Sequence, residues 1–488
     1  MAVIAIDAGT TGVRAFAVDD EGHPLASAYR ELAQHYPRPG WVEHDAGEIW
    51  QLTLTVLDEV AREIERPIAA IGITNQRETI VAWDRRTGRP LHHAIVWQDR
   101  RTAARCAELE PHLTDIRTRT GLVLDPYFSA TKIEWLLRNG GIDRNGHLAF
   151  GTVDTWLAWN LTGGASFVTD PSNASRTMLY DIRAKCWSDD LLTLFDISRA
   201  VMADVVASTA VCGTTVALGA LPAGVPVASM LGDQQAALFG QACFEPGMAK
   251  NTYGTGSFVL MNVGATCPPP ADGLLTTVAW QLADESFTYA LEGAIFVTGA
   301  AIQWLRDGIG MITDAREIGP LAESVADSGG VVFVPAFTGL GSPWWDPHAR
   351  GTIIGLTRGS GRAELARACV EAMAFQTRDV VDAMVRASGR PLAELRVDGG
   401  ASVMDLLLRL QADQLAVPVV RSTSAETTAL GAAYAAGVGC GLWTIADIAQ
   451  RWRPGARVEP SGHRRVVDAD HARWRRAVER SRAWATED

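Results

Sequence analysis

The chain has 488 residues, 47% of them hydrophobic and 20% charged, with a formal net charge of -12. That length exceeds a single core and predicts two large domains or three medium ones, while the acidic balance argues against nucleic-acid binding, which needs a basic face. No apolar run approaches the roughly 20 residues of a membrane span, and residues 1–6 lack the basic start and the length of a signal peptide, so the expectation is a cytoplasmic protein without membrane insertion. Seven cysteines lie far apart with no Cys-x-x-Cys, as in a reducing compartment. The only lysines are Lys132, Lys185 and Lys250, none in a Gly-Lys-Ser/Thr sequence. A Walker A loop is therefore absent, and any nucleotide site must use another design.

Residues 3–14 read Val-Ile-Ala-Ile-Asp-Ala-Gly-Thr-Thr-Gly-Val-Arg. A short apolar run of buried-strand length stops at Asp7 and enters a Gly-Thr-Thr-Gly turn. The glycines let a ligand approach the backbone amides, Thr10 and Thr11 add hydroxyls, and Arg14 adds a fixed positive charge. This combination suits a phosphate chain, with Asp7 suited to a divalent cation. A plain hairpin with a solvated Asp fits the same residues. Residues 15–18 and 24–29 read as strands. Glu43-His44-Asp45 offers metal-ligand residue types, but Asp45 followed by Glu48 is a helix-start signature. Ile49, Leu52, Val56, Val60 and Ile64 then repeat at helical spacing, so capping is the expected role.

Residues 68–74 and 94–97 read as buried strands. They run into Asn75-Gln76-Arg77-Glu78-Thr79 and Gln98-Asp99-Arg100-Arg101, and α/β sheets place ligands at such strand ends. Arg77 and Glu78 fit a surface ion pair or a hydroxyl-binding pair. A helix opens within residues 126–137. An apolar strand over residues 222–230 leads through Gly232 to Asp233 and Gln234, ahead of an Ala-rich helix. Asp233 is there a helix cap or a second site carboxylate.

From residue 251 the pattern restarts, with a second turn at Tyr253-Gly254-Thr255-Gly256, a strand over 258–261, and a third turn at Val397-Asp398-Gly399-Gly400. The repeated order of apolar strand, Asp and Gly suggests two domains of similar topology with a nucleotide between them. A turn-rich stretch near residues 241–250 divides them into 1–243 and 244–488. Residues 268–270 form an exposed Pro loop, and residues 470–484 read as a surface helix.

These motifs resemble the glycerol kinases of the FGGY carbohydrate kinase family, over nearly the whole chain. The resemblance is carried by Asp7-Ala8-Gly9-Thr10-Thr11, Gly72-Ile73-Thr74-Asn75-Gln76-Arg77-Glu78-Thr79, Ile95-Val96-Trp97-Gln98, Tyr127-Phe128-Ser129, Gly151-Thr152-Val153-Asp154-Thr155-Trp156, Asn173-Ala174-Ser175-Arg176-Thr177-Met178, Gly232-Asp233-Gln234-Gln235, Tyr253-Gly254-Thr255-Gly256 and Gly341-Ser342-Pro343-Trp344-Trp345-Asp346-Pro347. It implies an α/β fold of two ribonuclease H-like domains of the actin and Hsp70 ATPase type, with a catalytic cleft between them. It further implies ATP and Mg²⁺ as cofactors, glycerol as acceptor and a homo-oligomer. By the same resemblance Arg77, Glu78, Tyr127, Asp233 and Gln234 bind hydroxyls, Trp97 and Phe258 cover the carbon chain, and Asp233 is the base. Asp7 would hold Mg²⁺. Thr10, Thr11, Gly12, Arg14 and Thr255 would line the phosphates, and Gly299, Gln303, Gly400 and Met404 the rest of the nucleotide. The chain departs from the family at Ala8, usually Gln, at Gly12, usually Ser, and at Met404, usually Asn, where a thioether covers a purine without hydrogen-bonding it. Residues 216–224 lack the family's effector loop. The nearest rival is a kinase of the same family for a tetritol or pentulose; another is a non-catalytic, actin-like assembly protein.

Overall fold

The opening apolar run forms β1 (Ala2–Ala8), and the chain doubles back as β2 (Gly12–Asp19) and β3 (Pro24–Glu31) in a computed structural model that describes residues 1–485. A 2.9 Å hydrogen bond from the Gly9 N–H to the Gly12 carbonyl closes the first reversal. Asp45 starts α1 (Ala46–Glu63), its carboxylate accepting from the Gly47 N–H at 2.7 Å and the Glu48 N–H at 3.4 Å. The helix buries Ile49, Val56, Leu57 and Val60; Leu52 is only partly covered, and Ile64 is the residue beyond the helix end. β4 (Ile68–Asn75), β5 (Pro226–Gly232) and α2 (Asp233–Gly240) complete the first unit. Its sheet runs β5-β4-β1-β2-β3, with Gly213–Thr214 as a short edge strand beside β5. β1, β4 and β5 are mutually parallel, and β1, β2 and β3 antiparallel.

The second sheet repeats this plan. β6 (Ala249–Tyr253), β7 (Ser257–Gly264), β8 (Leu275–Gln281) and β9 (Phe287–Ile295) are followed by the long α3 (Arg362–Ser388) and then β10 (Leu395–Asp398), β11 (Val419–Ser422), α4 (Thr427–Gly439), β12 (Pro454–Val458) and α5 (Arg464–Ser481). The order β9-β7-β6-β10-β11 matches β3-β2-β1-β4-β5 strand for strand and direction for direction, with β8 and β12 added at the edges. The strand-Asp-Gly repeat of the sequence is thus a repeat of topology.

The two units are joined by helices at backbone contact. α4 carries no charged residue and is mostly Ala and Gly, the composition of a helix buried all round. It crosses α2 so closely that a Cβ built on Gly431 would lie 1.8 Å from the Ala236 carbonyl oxygen. It also reaches back to the first sheet, where Ser229 Oγ donates to the Ala432 carbonyl at 3.0 Å.

Local expectations fail in three places. The strand expected at residues 222–230 is shifted to Pro226–Gly232, because residues 222–225 instead bond Thr215. The strand at 94–97 shrinks to Ala94–Ile95, with the Val96 N–H bonding the Val42 carbonyl and Trp97 turning to Tyr127, Phe258 and Thr10. The terminal helix begins earlier and is anchored: His471 Nε2 and Trp474 Nε1 bond the Asp379 carboxylate on α3 at 2.8 and 2.7 Å. Among the described residues no helix is long and apolar enough to cross a membrane.

Candidate active site

Strand ends from both sheets meet over one cleft. Arg77 lies two residues beyond β4 and is wholly buried. Its Nε stands 3.2 Å from an Asp233 carboxylate oxygen, and its Nη1 and Nη2 donate to the two oxygens of Glu292 at 2.6 and 3.1 Å. Nη2 also donates to the Tyr127 hydroxyl at 3.2 Å. The surface ion-pair reading of Arg77 and Glu78 is therefore wrong: both are buried, and their direct approach is a long 3.9 Å.

Glu78 is held in the left-handed region at φ +61, a conformation that non-glycine residues keep only where surroundings enforce it. Ser129 Oγ fixes its carbonyl at 2.9 Å, and Arg176 Nε fixes its carboxylate at 2.6 Å. Arg176 Nη2 then donates to Glu292 at 2.9 Å, closing a buried quartet of two guanidiniums and two carboxylates. Burial alone would raise the Glu292 pKa, but Arg176 and Arg77 hold it down at about 2, so Glu292 stays a carboxylate, whereas burial raises that of Glu78 against the pull of Arg77 and Arg176. Burial and the neighbouring Glu78 push the Tyr127 phenol upward, keeping it a neutral hydroxyl donor.

An aromatic wall stands beside these groups. The Trp97 ring meets Tyr127 edge-on at 5.5 Å and Phe258 at 6.5 Å, and the Arg77 guanidinium lies 5.9 Å from the Phe258 centroid. Trp97 Nε1 donates to Thr10 Oγ1 at 2.9 Å, tying this wall to the first turn. The result is a small recess with an apolar side and several fixed hydroxyl partners, suited to a short polyhydroxylated chain.

Asp233 is the first residue of α2, and its Oδ1 accepts from the Gln234 N–H at 2.7 Å; the helix cap position belongs to Gly232. The capping reading of Asp233 is therefore set aside. Its side chain is 28% exposed towards the cleft. Burial raises its pKa, and Arg77 and Lys250 pull it back. Gln234 beside it accepts a short hydrogen bond from Lys250 Nζ, across from the second sheet.

The Gly/Thr turns flank this centre. In the first, Thr11 is exposed and its carbonyl accepts from Leu32 at 3.0 Å. Gly12 is enforced by space, since a Cβ there would lie 2.4 Å from the Tyr29 hydroxyl and 2.5 Å from the Arg30 carbonyl. Arg14 pairs with Glu426 of the second unit at 2.5 Å and lies over the Tyr29 ring. In the second turn the Gly254 N–H bonds the Gly256 carbonyl at 2.8 Å, Thr255 is exposed, and the Gly299 N–H donates to the Gly254 carbonyl at 3.0 Å. Gln303 is exposed at the end of the helix Gly299–Gln303, and Gly400 is exposed in the third turn. Met404 is half-buried, its side chain beside Gly319.

Asp7 is the penultimate residue of β1, close enough to Asp233 to feel its charge. Burial raises its pKa to about 7, with the Asp233 charge adding to the rise and Arg14 opposing it. Two carboxylates that repel one another beside phosphate-sized turns are a donor set that a hard divalent cation fits. Elsewhere, Asp19, Glu21 and His23 group on an exposed turn, where Asp19 accepts from the backbone of both others. Glu43 is committed to Arg101 at 2.7 Å, in keeping with a structural role for the Glu43-His44-Asp45 run.

Three buried residues escaped the sequence reading: Arg176, Glu292 and Lys250. Arg176 lay inside a quoted motif without a role. Glu292 had a signal, as a lone carboxylate in the apolar run Tyr-Ala-Leu-Glu-Gly-Ala-Ile, because such a charge is buried only when paired. Lys250 had another, as one of three lysines in the chain.

Two sheets of one repeated order, each sending a Gly/Thr turn to a shared cleft, define the ribonuclease H-like architecture of the actin and Hsp70 ATPases and of the kinases built on it. Residues 2–240 match the N-terminal domain and residues 249–440 the C-terminal domain of the FGGY family of carbohydrate kinases. The chain is 55% identical to a glycerol kinase of Aromatoleum aromaticum, over 99% of each chain, and 53% identical to one of Dechloromonas aromatica, over 99% of this chain and 98% of that one. A crystal structure of Plasmodium falciparum glycerol kinase with ADP superposes with a TM-score of 0.93 at 34% identity, covering 98% of both chains. The chain belongs to the FGGY family of carbohydrate kinases.

Proposed function

We propose that the protein is a glycerol kinase, transferring the γ-phosphoryl group of ATP to a primary hydroxyl of glycerol to give sn-glycerol 3-phosphate and ADP. The observation that carries this reading is the recess in which Arg77 stands within hydrogen-bond reach of both Tyr127 and Asp233 beside the Trp97 and Phe258 rings. Arg77, Glu78, Tyr127 and Gln234 bind the hydroxyls. The two rings cover the carbon chain and exclude water that would otherwise attack ATP. Asp233 accepts the proton of the attacking hydroxyl as its oxygen bonds the γ-phosphorus and the bond to the bridging oxygen of ADP breaks. Thr10, Thr11, the Gly12 amide and Arg14 take the β- and γ-phosphates from one side and Thr255 from the other. Gly299, Gln303, Gly400 and Met404 border the nucleotide further out. Asp7 would hold Mg²⁺, which when bound offsets charge on the phosphate oxygens.

A coupled ADP-release assay over a panel of polyols and ketoses tests the substrate: kcat/KM is expected to be highest for glycerol, and a better tetritol or pentulose overturns the assignment. We further infer domains 1–243 and 244–488, a cytoplasmic location supported by seven free cysteines, and a homo-oligomer supported by the exposed Val466 and Trp484. Light scattering that returns a monomer refutes the last.

A further inference from the structure

Lys250 sits on β6, in the second sheet, yet its side chain serves the first unit. Along a strand, successive side chains point to opposite faces. Lys250 and Thr252 accordingly share the face towards α2, while Asn251 and Tyr253 face Thr377 and Gln411 on the other side. Lys250 is wholly buried, and its Nζ donates to Thr252 Oγ1 at 2.9 Å and to Gln234 Oε1. The carboxylates of Asp398, Asp233 and Glu292 and the guanidinium of Arg77 face it. Burying an ammonium is costly even when paired, and an apolar chain of the same length would fill the space at no such cost.

An ammonium only donates hydrogen bonds, so the oxygen of the Gln234 amide must face it and the NH₂ group must point the other way. Gln234 is half-buried, next in the chain to the partly exposed Asp233. We propose that Lys250 is a positioning residue for the acceptor end of the site: it grips Gln234 by its carbonyl oxygen, so that the amide NH₂ is presented to an acceptor hydroxyl, and it sets a positive charge beside Asp233. This rests on the reading above, in which the polyol lies between Arg77 and Gln234. Burial holds the Lys250 ammonium down at about 8, which still leaves it charged at neutral pH.

The test compares the full-length wild type with Lys250→Met, Lys250→Arg and Gln234→Glu, varying glycerol and ATP separately. Lys250→Met should lose about tenfold to a hundredfold in kcat/KM for glycerol, the weight of a charge-assisted hydrogen bond, with KM for ATP unmoved. Lys250→Arg should recover part of that loss. Gln234→Glu keeps the acceptor for Lys250 but removes the NH₂, and so should raise KM for glycerol in a protein of unchanged melting temperature. An unchanged kcat/KM in folded Lys250→Met overturns the proposal. So does a loss confined to KM for ATP, or a normal KM for glycerol in Gln234→Glu when Lys250→Met does not fold. A wild type that prefers another polyol sinks the substrate reading instead, and the same variants are then compared on that polyol.

Discussion

Asp233 stands where the charges of Arg77, Lys250 and Asp7 meet, and its replacement separates chemistry from binding. Asp233→Asn is expected to lower kcat by about 10²–10⁴, the range for a general base, while KM for glycerol is kept. Near-normal turnover in steady-state assays would remove Asp233 from the mechanism. Arg77→Ala should raise KM for glycerol, and the structure adds a second consequence. Glu292 then keeps only Arg176, and stripping one partner from a buried ion network costs about 3–5 kcal/mol. Glu292 itself gives a pH signature. Its pKa is lowered from 4.5 to about 2 in the folded state, so the unfolded chain binds the proton more readily and the stabilisation is complete above about 4.5. It fades as pH falls towards 2. The destabilisation of Glu292→Gln relative to wild type, measured by urea unfolding, is therefore expected to be large at pH 7 and to shrink on acidification below pH 5. A difference that does not vary with pH would mean that Glu292 is not held as a carboxylate.

At the level of elements, the α2–α4 crossing is the tightest joint in the chain. A Cβ on Gly431 would meet backbone at 1.8 Å, and one on Gly240 would meet the Thr427 carbonyl at 2.1 Å. Backbone cannot rotate aside as a side chain can, so Gly431→Ala must push the helices apart. The expected loss is at least the overpacking cost of about 1–3 kcal/mol, read as a lower urea midpoint. Gly146→Ala, where nothing lies within 4 Å of the added carbon, is the control and should stay within about 0.5 kcal/mol of wild type. Equal midpoints for the two variants would show that the crossing tolerates separation.

For the whole molecule, the recess around Arg77 is shared between the two units. Arg77, Asp233 and Gln234 come from one, while Glu292, Lys250 and Phe258 come from the other. Arg14 and Glu426 pair across the two units beside the first Gly/Thr turn. A ligand in such a cleft stabilises both units at once. Glycerol at a hundred times its Kd is expected to add about 2.7 kcal/mol to the folded state, seen as a rise in melting temperature of one cooperative transition. Two transitions, only one of them moved by glycerol, would show that the recess belongs to a single unit.

The turn after Asp7, the buried strand that ends ahead of Arg77 and the restart near residue 251 were legible because each is local: a few neighbouring residues carry the strand period and the turn chemistry. Helix α1 was legible for the same reason, through Asp45 and its apolar spacing. What remained hidden depends on distance along the chain. Glu292 is 215 positions from Arg77 and 116 from Arg176, so no local pattern announces that one carboxylate holds both guanidiniums. Lys250 gripping Gln234 and α4 returning to the first sheet are likewise decided by packing between units, and Tyr29 excluding a side chain at Gly12 by the pairing of β2 with β3. Neighbouring residues suffice to specify the turns and the duplicated strand plan. Which buried charges meet is a matter of packing between distant parts of the chain, because a charge in the interior is stable only beside a partner that folding brings to it.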